Sequence, residues 1–138
     1  AVIIGPGDLY TSVLPNLIVP GVADALCASG ARLVYVVNIM TKFGETHQFR
    51  ARDFLVKLES VIGRPVDIVI YNHRRPDSRV LARYRKQQAE FVQIQNEDGW
   101  WDGRRLLRAD ILETAGGVVR HDPAKLAAII AERILGRS

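Results

Sequence analysis

Cysteine is almost absent. A single thiol, Cys27, in 138 residues rules out an intrachain disulfide and suits a reducing, cytoplasmic setting. Its neighbours Ala25, Leu26 and Ala28 predict burial on an apolar helix rather than the exposed position of a nucleophile. No apolar run approaches the roughly 20 residues that span a bilayer, and the first residues lack the basic stretch and small-residue cleavage site of a secretory signal. Internal repeats, low-complexity tracts and linkers are missing too, so length alone predicts one domain. The chain has no Gly-x-Ser-x-Gly elbow and no Gly-Lys-Ser/Thr ending of a P-loop, and its three histidines, His47, His73 and His121, are scattered. Nucleophilic catalysis therefore has little support.

What is present is an ordinary globular composition: 48% hydrophobic, 25% charged, with a mean hydropathy near zero. The net charge of +4 is unevenly placed. Residues 73–86 hold Arg74, Arg75, Arg79, Arg83, Arg85 and Lys86 against Asp77 alone, a surplus that exceeds that of the whole chain. The segment reads as a solvated helix face, an anion site or a nucleic-acid patch. No aromatic interleaving or nucleic-acid motif supports the last, so no nucleic-acid partner is expected.

Strand-like and helix-like segments alternate. Val2 to Ile4 reads as a strand, and residues 11–29 as helix divided by Pro15 and Pro20. Residues 33–37, Leu-Val-Tyr-Val-Val, are apolar throughout, as a parallel strand covered on both faces requires. A polar loop runs to about Arg50. Phe54, Leu55, Leu58, Val61 and Ile62 then recur at helical spacing until Gly63 and Pro65. The spacing further predicts a strand over 67–71, a basic helix over 77–88, a short strand over 91–94, a polar loop with both tryptophans over 97–103 and a strand over 106–112. Asp122 and Pro123 cap a last helix, whose stripe is Leu126, Ile129, Ile130 and Ile134. This order predicts an α/β fold with a largely parallel sheet, its ligands bound beyond the carboxyl ends of the strands.

Two loops follow buried strands. In the first, Gly5-Pro6-Gly7-Asp8-Leu9-Tyr10-Thr11-Ser12, the glycines let backbone approach a ligand, and the Thr11 and Ser12 hydroxyls fall near a helix N-terminus. It reads either as a phosphate cradle or as a tight turn with a Ser/Thr cap. Tyr10 stands where a dinucleotide fingerprint has its third glycine. In the second, Asn38, Thr41, Glu45 and Thr46 offer partners to sugar hydroxyls, or belong to a plain surface loop. Glu45 and His47 do not make a metal motif. On their own, Tyr84 reads as a ring packed on the sheet and Arg120 as a partner of Asp122.

The run Gly5 to Leu17, followed by Val19-Pro20-Gly21, and the second run Asn38-Ile39-Met40-Thr41 with Gly44-Glu45-Thr46, resemble the gluconeogenesis factor family. These are bacterial CofD-like proteins related to 2-phospho-L-lactate transferase. Weaker similarity continues through Tyr84-Arg85-Lys86 and Arg120-His121. The resemblance implies a Rossmann-like three-layer α/β/α fold and a UDP-sugar ligand, notably UDP-N-acetylglucosamine. It also implies a regulator of cell shape, envelope synthesis and growth on gluconeogenic carbon sources, with a CofD-like transferase as the alternative.

On this sequence the implied ligand-binding positions are Gly5, Gly7, Asp8, Tyr10, Thr11, Ser12 and Asn16 in the first run. In the second they are Asn38, Thr41 and Glu45. Tyr84 and Arg120 match positions tied in the family to the UDP-sugar, where a ring can stack and a guanidinium can grip a diphosphate. The resemblance further implies that residues 1–138 are the C-terminal half of one CofD-like domain, lacking an N-terminal half with its own Gly-Gly-Gly-Thr-Gly loop. The strand-first start, Ala1-Val2-Ile3-Ile4, fits a fragment or processed piece, and an uncovered apolar surface would favour homo-oligomers. Asp8 stands where the family usually has serine, and His47-Gln48 where it has Asp-Gly. A carboxylate beside a diphosphate calls for a cation between them, such as a divalent metal ion.

Overall fold

The computed structural model describes residues 1–95 and 99–136. Four parallel strands form the sheet in the order β1 (Val2–Ile4), β2 (Leu33–Val36), β3 (Ile68–Asn72) and β4 (Arg105–Ala109). Sequence order equals spatial order, so every crossover moves the chain one strand along. The register is continuous: Ile4 lies opposite Tyr35, Tyr35 opposite Val69, and Val69 opposite Leu106.

Alternation along β2 explains its unbroken apolar run. Leu33, Tyr35 and Val37 enter a core with Leu9, Val13, Phe54, Leu55 and Leu58, while Val34 and Val36 face Ile111, Leu126 and Ile134 on the other side. The first face is covered by a π-helical turn (Leu9–Val13) that runs into α1 (Leu14–Leu17), by α2 (Val22–Ala28) and by α3 (Ala51–Ile62). The second is covered by α5 (Pro123–Arg133). Helices on both faces of a parallel sheet make this an α/β fold, as the alternation predicts.

The caps follow the sequence. Asp122 Oδ1 accepts from the N–H groups of Ala124 and Lys125, with Pro123 in the first turn of α5. Asp77 accepts from the Arg79 N–H at 2.7 Å to start α4 (Ser78–Lys86), and Gly63 ends α3 with φ +84°. Pro20 falls between α1 and α2, and the helical pair on either side of residues 18–21 is bent by 75°. Among the described residues no single helix is long and apolar enough to cross a membrane.

Four expectations need correction. Residues 91–94 do not form a strand of the sheet. Phe91 makes an isolated antiparallel bridge to Met40, and the segment spends its hydrogen bonds on the loop after β2. The expected strand 106–112 breaks at Asp110, whose carboxylate accepts from the Leu112 N–H and pairs with Arg74 and Lys125. Beyond the break, β5 (Leu112–Glu113) pairs antiparallel with β6 (Arg120–His121), closed by a 3-10 turn at Ala115–Gly117. The helix expected from residue 11 begins at Leu9, so Thr11 and Ser12 lie inside its first turn. There the N–H groups of Ser12 and Val13 both donate to the Asp8 carbonyl. Cys27 is exposed, because the short α2 lies at the periphery and buries none of its residues fully. In the tryptophan loop, Glu97 and Asp98 lie outside the described residues. Trp100 and Trp101 meet edge to face at 4.7 Å, and Arg104 covers Trp100 while pairing with Glu59 at 2.8 Å.

Candidate ligand-binding site

Because β1 and β2 are adjacent and parallel, the loops that follow them open on one edge of the sheet. Between those loops, the end of α4 and the β5–β6 hairpin lies a groove of about 580 Å³, within the range of small-molecule sites. Pro6, Gly7 and Asp8 come from the first loop, and Asn38, Met40, Thr41, Lys42 and Phe43 from the second. Tyr84 and Gln87 come from α4, and Val119, Arg120 and His121 from the hairpin.

Each position has a local cause. Gly5 has φ +81°, and a Cβ there would stand 3.3 Å from the Val36 carbonyl, so the chain can leave β1 closely alongside β2 only as glycine. Gly7 is closely packed, since a Cβ there would lie 3.1 Å from that of Ser12. The second loop is held from behind. The Thr41 N–H donates to Glu90 carbonyl at 2.8 Å, Thr41 Oγ1 accepts from the Glu90 N–H at 2.8 Å, and the Val92 N–H donates to Ile39 carbonyl at 2.9 Å. A tight turn follows, with the Lys42 N–H donating to Thr46 Oγ1 and the Thr46 N–H to the Lys42 carbonyl, each at 2.9 Å. Asn38 Oδ1 receives a long bond of 3.4 Å from the buried Tyr35 hydroxyl, whose pKa is raised by burial.

The far wall rests on side chains. The Tyr84 hydroxyl accepts from the Val119 N–H at 2.8 Å, and Arg83 donates to the Gly117 carbonyl. His121 Nε2 donates to the Val37 carbonyl at the end of β2, 3.1 Å away. Burial holds that imidazole below its ordinary pKa, partly offset by the Val37 carbonyl, which favours the neutral form. Arg120 pairs with Glu113 at 2.8 Å across the hairpin and not with Asp122, which is engaged in capping α5. Its side chain stays more than half exposed and turned to the groove.

Of the residues singled out from sequence, Gly7, Asp8, Asn38, Thr41, Tyr84 and Arg120 meet in this groove. Gly5, Ser12 and Asn16 line a second, more apolar hollow between β1 and α2, where Asn16 Nδ2 donates to the Ser12 carbonyl. Tyr10 and Thr11 are exposed, and Thr41, nearly fully buried, serves to pin its loop. Glu45 reaches the site through Lys42 rather than directly. Reading of the sequence missed Lys42, which pairs with Asp8 at 3.0 Å and Glu45 at 2.9 Å. A lone loop lysine carries no sequence signal; only the fold brings Asp8 to it from 34 residues away. Among the described residues, no three His, Cys, Asp or Glu side chains converge to hold a metal ion.

Comparison with known proteins agrees with this architecture. Residues 1–112 match the family profile described as 2-phospho-L-lactate transferase CofD. A Thermotoga maritima protein provisionally named gluconeogenesis factor is 41% identical over 139 residues, spanning 96% of this chain and 43% of its own length. The gluconeogenesis factor of Bacillus subtilis is 33% identical, over 95% of this chain and 42% of its own. A crystal structure of a Bacillus halodurans protein superposes with a TM-score of 0.86 at 36% identity, over 93% of this chain and 42% of that one. The chain thus spans about two fifths of the length of the relatives it matches.

Proposed function

The chain belongs to the 2-phospho-L-lactate transferase CofD family, and we propose that its groove binds a uridine diphosphate sugar, UDP-N-acetylglucosamine foremost, as part of a regulator of the gluconeogenesis-factor kind. In this reading the protein supports cell shape, envelope synthesis and growth on gluconeogenic carbon sources through binding rather than turnover. The observation that carries the reading is convergence: Asp8, Asn38, Lys42, Tyr84 and Arg120 arrive from four separate segments around one groove of about 580 Å³. Their chemistry suits the parts of such a ligand. The exposed guanidinium of Arg120, paired with Glu113 through its Nε edge, can donate its remaining Nη hydrogens to a diphosphate in two-pronged fashion, the Tyr84 ring can lie against a base or sugar, and Asn38 can serve hydroxyls. With its Nε2–H committed to the Val37 carbonyl, neutral His121 leaves Nδ1 as an acceptor and adds no charge.

Thermal unfolding tests it. UDP-N-acetylglucosamine at about a hundred times its dissociation constant should stabilise the protein by about 2.7 kcal/mol, and Arg120→Ala should remove most of that gain. No shift with any UDP-sugar would overturn the reading. One observation favours an enzyme instead: the matching profile is described by a transferase activity. Turnover of a nucleotide-activated phospholactate with a deazaflavin acceptor would establish that alternative.

A further inference from the structure

Lys42 is the cation that joins the two loops. Its Nζ stands 3.0 Å from Asp8 Oδ2 in the first loop and 2.9 Å from Glu45 Oε1 in its own. An ammonium has three N–H donors, and these two bonds use two of them. The side chain is half exposed, and both Lys42 and Asp8 line the groove. The main chain of Lys42 is fixed at both its N–H and its carbonyl by the turn that Thr46 closes, and the ammonium is held by its two ion pairs. Glu45 is half-buried behind it, with Oε2 buried and without a hydrogen-bond partner. Both carboxylates hold the ammonium in its charged form, Glu45 more strongly than Asp8.

Resting on the nucleotide-sugar reading, we propose that Lys42 is the diphosphate-binding and specificity-determining residue of the groove. Its third N–H is left for the ligand, and its ammonium takes the place that a divalent metal ion would otherwise need to fill between Asp8 and a phosphate. Asp8 then has a definite role. It orients the ammonium and, by its own charge, rejects an anion that does not engage Lys42. Binding through Lys42 is accordingly independent of divalent cations.

Isothermal titration of the protein with UDP-N-acetylglucosamine and with inorganic pyrophosphate, each in EDTA and then in Mg²⁺, tests this. The unaltered protein should bind equally well in both buffers. Lys42→Met should weaken binding at least about tenfold in EDTA, the scale of one lost charge-assisted bond, while Lys42→Arg retains it. In the Lys42→Met background, Mg²⁺ should recover several-fold, because Asp8 and Glu45 are then free to hold a metal ion beside the diphosphate. Adding Asp8→Ser to that background should recover affinity without metal. Unchanged binding by folded Lys42→Met overturns the inference alone, as does a Mg²⁺ requirement in the unaltered protein. A loss that neither Mg²⁺ nor Asp8→Ser relieves also overturns it, since that marks a structural role. No binding of either probe by the unaltered protein overturns the nucleotide-sugar reading along with it.

Discussion

The near wall of the groove leaves the ends of β1 and β2, where Ile4, Val36 and Val37 are buried and the backbone is tied into a parallel ladder. The far wall, carrying Arg120 and His121, stands on strands of two residues, held by Tyr84, Arg83 and an ion pair on an exposed surface. A strand end inside a buried sheet moves only if the core moves. A two-residue hairpin moves when one or two side-chain bonds open, and its local stability lies nearer the low end of the molecule's range. The near wall therefore sets where a ligand's charge sits. The far wall decides how tightly the ligand is enclosed.

The largest test strikes at the core beneath the near wall. Phe54 is fully buried against the face of the sheet that holds Tyr35 and Val37, and Phe54→Ala should cost about 3–5 kcal/mol in denaturant unfolding. Because both walls rest on that core, the loss removes them together in one transition. Tyr84→Phe is a smaller and more local change. It deletes the acceptor of the Val119 N–H and should cost about 1 kcal/mol. Hydrogen exchange should show faster exchange at Val119 and its hairpin neighbours, with the amides of β1 and β2 unchanged. Equal loosening of both walls would erase the distinction.

The smallest expected effect concerns the joint between them, His121 on the Val37 carbonyl. Burial lowers its folded-state pKa below the ordinary 6.5, so the unfolded chain takes up a proton more readily than the folded one. Its contribution is thus fully present above pH 6.5 and is lost as pH falls from there through the folded value. Unfolding midpoints measured between pH 7.5 and 5 should fall with acid, and His121→Gln should flatten that slope. An unchanged slope would show that the imidazole does not couple the walls.

Much of the near wall was legible in the sequence, and little of the far wall. The apolar run 33–37, the helical spacing from Phe54 to Ile62 and the Asp122-Pro123 cap each report a local preference that the sheet and its helices satisfy. Two parallel strands in sequence then place their loops together without further information. The hairpin leaves no such trace, because two-residue strands are too short for alternation to register. The segment 91–94 is apolar enough to read as a strand, yet its backbone is drawn to Met40 and Ile39. Tyr84 and Arg120 were found through likeness to a family and not through their own setting. Lys42 and Asp8 become a pair only in three dimensions.

The short segment after α4 has one more consequence. The Ala89 N–H donates to the Tyr84 carbonyl at 3.0 Å, and the next residue, Glu90, grips Thr41 at both its N–H and its hydroxyl, one residue before Lys42. Two hydrogen-bonded steps thus connect the aromatic ring on one side of the groove with the ammonium on the other. The residue that bears the ring and the loop that bears the ammonium therefore share one backbone support, the short segment Ala89–Glu90.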